Sequence, residues 1–105
     1  MSAPGEDERL ALAAQGGDAS AAEALLEKYK NMVRGIARRF FLAGGDAEDL
    51  VQEGMIGLYA AVTDFREGAG SFSAFARVCV QRRILSAVRR AARKIKRILA
   101  KNKFY

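Results

Sequence analysis

Along this chain apolar residues recur at helical spacing, and the every-second-residue alternation of a strand is absent throughout. β-branched residues are few. The pattern predicts a first helix over about Asp7–Gln15, halted by Gly16-Gly17, because glycine readily takes the left-handed conformation that ends a helix. Ser20 followed by Glu23 reads as a capping box opening a second helix, "AAEALLEKYKNMVRGIARRFFLA", which runs to Gly44-Gly45. Asp46 is expected to cap a third helix over about Ala47–Asp64, with Asp49 in its first turn favouring the positive helix end. "REGAG" is the following loop, and Ser71 is expected to cap a long final helix. The expected fold is all-α, a compact bundle of about four helices with a long basic C-terminal helix. Residues 1–6 are expected to fray, and 97–105 form a basic tail.

On a wheel of about 100° per residue the third helix has two faces. Leu50, Val51, Gly54, Met55, Leu58, Ala61, Val62 and Phe65 form a core stripe, in which Gly54 and Gly57 allow another helix to come close. Asp49, Gln52, Glu53, Ile56 and Ala60 collect opposite. Two carboxylates and an amide around one isoleucine fit either a solvated surface with a stray apolar residue or a docking patch for a basic partner.

The same wheel over the final helix places Ile84, Leu85, Ala87, Val88, Ala91, Ala92, Ile95, Ile98 and Leu99 on a flank expected to pack on neighbouring helices. Arg82, Arg83, Ser86, Arg89, Arg90, Arg93, Lys94, Lys96, Arg97 and Lys101 share the other flank. Phe72, Phe75 and Cys79 continue it towards the N-terminus. Rings followed by cations suit nucleic acid with partly unstacked bases, each stacked base contributing about 1–3 kcal/mol. Neutralising about six to ten phosphates would make binding fall steeply with salt. Core packing is the competing account of Phe72 and Phe75. For the basic residues a merely solvated face is disfavoured, since like charges at i,i+4 repel and no acid stands among them.

Length and composition narrow the reading. A chain of 105 residues, half of them hydrophobic, is one domain with one modest core. It has no histidine and one cysteine, which removes Ser–His–Asp and Cys–His chemistry and leaves no expected zinc site or cofactor; it is not expected to be an enzyme. Cys79, between Val78 and Val80, reads as a small apolar residue, and a lone cysteine fits a reducing compartment. The apolar runs are short and "MSAPGEDERL" is acidic, so a soluble cytoplasmic protein is expected. Charge is segregated. Residues 28–43 carry five bases and no acid, and residues 76–105 carry eleven bases and no acid, within a net charge of +6. Such blocks point to a polyanion, either nucleic acid or an anionic membrane surface.

At "DAEDLVQEGMIGLYAAVTDF" and "SFSAFARVCVQRRILSAVRRAARK" the chain resembles region 2 of the bacterial sigma-70 family of RNA polymerase sigma factors, most like the sporulation-type alternative factors of Gram-positive bacteria. The likeness covers about Leu10 to Lys94 and includes "LLEKYKNMVRGIARRFF". It implies transcription initiation. By resemblance, Asp49, Gln52, Glu53, Met55, Ile56 and Tyr59 bind the clamp helices of the core RNA polymerase β′ subunit, which promotes the docking account of that patch. Phe72 and Phe75 match aromatics that hold the melted non-template strand of promoter DNA. Arg82, Ser86 and Arg89 lie along the −10 recognition stretch, and Arg83, Arg90, Arg93 and Lys94 on the same basic flank are expected to bind DNA beside them. An anti-sigma factor is a further partner the family suggests.

Three departures stand out. Val78 and Cys79 occupy the place of a tryptophan pair in primary sigma factors, so weaker melting is expected. The "REGAG" loop is short. No helix-turn-helix region 4 follows, and "KIKRILAKNKFY" does not match the usual continuation, so a region 2 piece or a minimal sigma-like protein is expected. Two other classes compete: a general basic helical nucleic-acid-binding domain without polymerase, and a cationic membrane-surface helix, for which "RRAARKIKRILAKNKF" is the candidate.

Overall fold

A computed structural model describes residues 5–40 and 47–101. These residues form four helices, α1 (Glu6–Gln15), α2 (Ala19–Phe40), α3 (Ala47–Asp64) and α4 (Phe72–Lys101), and no strand. The all-α expectation holds, with boundaries close to those read from periodicity. The expected Gly44-Gly45 stop and Asp46 cap lie outside the described residues.

Local chemistry sets the helix ends. Gly17, at φ 107°, provides the left-handed residue after α1, and the Asp18 and Gly17 N–H groups donate to Ala13 and Ala14 carbonyls. α2 is not opened by the Ser20–Glu23 box. Asp18 caps it instead, its Oδ1 accepting from the Ser20 and Ala21 N–H groups at 3.0 and 3.2 Å and from Ser20 Oγ at 2.7 Å. A carboxylate placed just ahead of the first turn meets two orphan donors and the positive helix end together, and Ser20 lies already inside the helix. Ser71 does cap α4, accepting the Ala74 N–H at 3.2 Å. Of residues 1–6, expected to fray, 1–4 lie outside the described residues; Glu6 begins α1, and the Arg9 N–H donates to the Gly5 carbonyl at 2.8 Å.

The core runs between α2, α3 and α4, with α1 laid across one end. Phe72, Leu25, Ile36, Leu58, Ile84, Val33, Val62 and Val80 are its largest fully buried side chains. Gly54 and Gly57 allow the close helix approach that the sequence suggests. A Cβ at Gly54 would stand 2.6 Å from Val33 Cγ1, and one at Gly57 would stand 3.0 Å from both the Cys79 carbonyl and Arg83 Cβ. α1 then ties the α3–α4 corner at both sides. Gln15 Nε2 donates to the Val62 and Phe65 carbonyls at 2.9 and 2.8 Å, and Glu8 accepts the Phe72 N–H. Asp7 accepts from the Tyr29 hydroxyl and from Lys28. Burial first, and then that hydrogen bond, raise the Tyr29 phenol above its ordinary range.

Candidate functional site

With Leu50, Gly54, Leu58 and Ala61 drawn into the core, α3 turns Asp49, Gln52, Ile56 and Tyr59 outward. Ile56 is 49 % and Tyr59 53 % exposed, so two bulky apolar bodies stand in water beside a carboxylate and an amide. Met55 departs from this outward set: it is half-buried against the core, where its place in the apolar stripe puts it.

Glu53 faces α4. Its Oε1 accepts from Arg83 Nε at 3.0 Å and its Oε2 from Arg90 at 3.3 Å. The expectation of an unopposed cationic flank is therefore corrected at two positions. The side-chain-free crossing at Gly57 lets a glutamate one turn away reach both arginines, a contact that no single-helix wheel contains. As partly exposed pairs these are worth about 0–1 kcal/mol each in stability. They fix where the two guanidinium groups point.

Arg82, Ser86, Arg89 and Arg93 follow one another at four, three and four residues and are exposed, as is Lys94. None of these basic residues forms an ion pair among the described residues. This row is the free part of the basic track. Phe75 lies at its N-terminal end, half-buried, its ring 6.0 Å from that of Phe65.

Phe72 does not belong to the track. It is fully buried, edge-on to the Tyr29 and Phe65 rings at 5.7 Å, and stacking a base on it would require opening the core. Eighteen residues are five turns of about 3.6, so Phe72 and Arg90 share one angle on a straight wheel. They differ because α1, α2 and the end of α3 cover that side only near Phe72. Cys79 is half-buried in the seam against α3, consistent with a packing role, and burial pushes its thiol up.

The aliphatic flank of α4 is also corrected. It is covered as far as Val88, but Ile95, Ile98 and Leu99 are about half exposed. α3 begins at Ala47, less than two turns beyond the Glu53–Arg90 contact, so the last turns of α4 extend past it.

Other chemistry is sparse. An open cavity of about 840 Å³ lies where α1 meets the α3–α4 loop, lined by Glu6, Asp7, Glu8, Glu67, Arg9 and Lys28 among others. Among the described residues no group of His, Cys, Asp and Glu could hold a metal ion, and no helix is long and apolar enough to cross a membrane.

Comparison with known proteins identifies the family. Residues 25–94, which include the outward face of α3 and the free row of α4, match the family model for Sigma-70 region 2. The chain is 49 % identical over 89 residues to the RNA polymerase sigma-H factor of Bacillus licheniformis, covering 84 % of this chain and 40 % of that protein. It is 48 % identical over 89 residues to the RNA polymerase sigma-H factor of Bacillus subtilis (strain 168), covering 84 % and 41 %. With the RNA polymerase sigma-28 factor of Bacillus thuringiensis subsp. kurstaki it shares 36 % identity over 74 residues, 70 % of this chain and 31 % of that protein. The chain thus spans about two fifths of the length of the sigma-H factors it matches.

Proposed function

This chain belongs to the sigma-70 family through its region 2, and from that membership we propose that it acts as a transcription initiation module of the sporulation type. Its work is binding, not catalysis. α3 docks on the β′ clamp helices of core RNA polymerase through Asp49, Gln52, Ile56 and Tyr59, with Met55 bracing the patch from below. Glu53 borders it and holds Arg83 and Arg90 in place. Arg82, Ser86, Arg89 and Arg93, with Lys94 beside them and the Phe75 ring edge at their head, contact −10 promoter DNA along the non-template strand in the cytoplasm. An anti-sigma factor would act on the α3 patch.

The observation that carries this reading is the exposure of Ile56 and Tyr59 beside Asp49 and Gln52. A protein interface needs an apolar or aromatic centre with polar neighbours that choose the partner, and this face has both. The membrane-surface class accounts for none of it.

The test is capture of a β′ clamp-helix fragment by the chain. Ile56→Glu should weaken capture at least tenfold, about 1.4 kcal/mol. Glu53→Arg is the less clean variant, because it also frees Arg83 and Arg90. Capture by Ile56→Glu equal to that of the parent would overturn the assignment.

A further inference from the structure

The run of five bases without an acid in residues 28–43 is not used by either interface above. Its members are not equivalent in the fold. Lys28 donates to Asp7 at 2.7 Å, so α1 engages it. Arg38 and Arg39 lie in the last turn of α2, where the negative helix end favours cations anyway. Lys30 and Arg34 lie too far from that end to gain from it, because the effect fades within the last turn. Lys30, Arg34 and Arg38 recur every fourth residue, which places them in one row with steps of about 6 Å. Arg34 and Arg38 are exposed and Lys30 is half-exposed, and no ion pair among the described residues includes any of them.

A row of like charges at i,i+4 costs helix stability, and within it only Arg38 is offset by the helix end. The surroundings decide what would offset that cost. Among the described residues no large apolar side chain of α2 is exposed, and the row's exposed neighbours there are Glu27, Asn31 and Arg39. A membrane-surface helix needs an apolar face to insert, and a protein interface needs an apolar or aromatic centre. Binding to a phosphodiester backbone needs neither, only regularly spaced cations. We propose that Lys30, Arg34 and Arg38 form a second nucleic-acid contact surface, separate from α4, which holds the phosphate backbone without reading sequence. This surface does not depend on recognition of a −10 element.

The experiment measures binding of the full chain to a fluorescent duplex of arbitrary sequence across a salt series, beside a −10 non-template oligonucleotide. The triple variant Lys30→Gln, Arg34→Gln, Arg38→Gln should weaken duplex binding and reduce the log–log salt slope by about 0.9 for each contact removed, between two and three in all. Arg34→Lys should keep the slope, and circular dichroism establishes that each variant is folded. The row has this role if the slope falls whatever the sequence, even where no −10 preference is found, in which case only the promoter reading fails. An unchanged slope and affinity in the folded triple variant overturns the proposal. So does a variant with unchanged DNA binding that loses capture by core polymerase, since the row would then face protein.

Discussion

Ile84 and Ile95 are the same residue type on the same helix, eleven residues apart, yet one is fully buried and the other 51 % exposed. The first half of α4 is anchored along its inner face: Phe72 meets Tyr29 and Phe65, Ile84 closes over Gly54, and Val80 fits the crossing at Gly57. The second half leaves the bundle, and the molecule measures 61 Å along its length but 24 and 23 Å across. Both halves are helical for different reasons. Packing holds the first, since helices in proteins owe most of their stability to a buried face. The second rests on propensity and on continuation from a helix already nucleated, with Ala, Arg and Lys prominent in it. Fixing the anchored half gives the Arg82–Arg93 row a rigid base.

The contrast is broken or sharpened most strongly by one substitution made twice. Ile84→Ala removes a fully packed side chain and should cost about 2–5 kcal/mol of unfolding free energy. Ile95→Ala deletes the same atoms from a half-exposed site and should stay within about 0.5 kcal/mol. Urea unfolding of the two variants measures both. Equal losses would mean that the outer half of α4 is covered in solution by something that the bundle itself does not supply.

A smaller effect probes the seam from the α3 side. Gly54→Val places a branched side chain where even a Cβ would be 2.6 Å from Val33 Cγ1 and 3.0 Å from Ile84 Cδ1. Val33 is β-branched and fully buried and cannot swing aside, so the helices must shift, and overpacking should cost about 1–3 kcal/mol. Hydrogen exchange should locate the loosening in α3 and the first half of α4. Faster exchange in the outer half alone would contradict the division drawn between them.

This same division explains what was legible in the sequence. Periodicity yields the four helices, Gly17 and Ser71 yield two of their ends, and the "EDLVQEGMIGL" stretch yields the patch around Ile56. These features are local, or follow from one helix having an inside and an outside. Phe72 was not legible as core from a straight wheel. The buried positions Phe72, Ala76, Val80, Ile84 and Val88 step by four residues, and each step turns the covered side by about 40°. A wheel averaged over thirty residues therefore merges the covered start with the bare end. The reach of Glu53 to Arg83 and Arg90 depends on the distance between two helices, which neither helix encodes alone. At Asp18 the Ser20–Glu23 pattern competed with a carboxylate two residues earlier, and the group already outside the helix won.

Asp18 supplies the smallest test, one of pH. It helps to hold the α1–α2 turn, and α1 in turn ties the start of α4 through Glu8. Its hydrogen bond with Ser20, followed by that with the Ala21 N–H, keeps its carboxyl below the ordinary value of 3.8. A lowered folded pKa means that the unfolded chain takes up the proton first. The contribution is therefore fully present above the ordinary carboxylate range and is lost as pH falls through it. Asp18→Asn retains an oxygen acceptor but has no charge to lose, so the stability gap between parent and variant should be small at pH 7 and close further by about pH 3. Residues 92–101 carry no carboxylate, so the outer half of α4 has no acid group of its own to protonate over that interval. Urea midpoints of parent and variant at the two pH values make the comparison. A gap that widens towards low pH would show that charge at residue 18 opposes the folded turn, and would reverse the account of how α1 and α2 are joined.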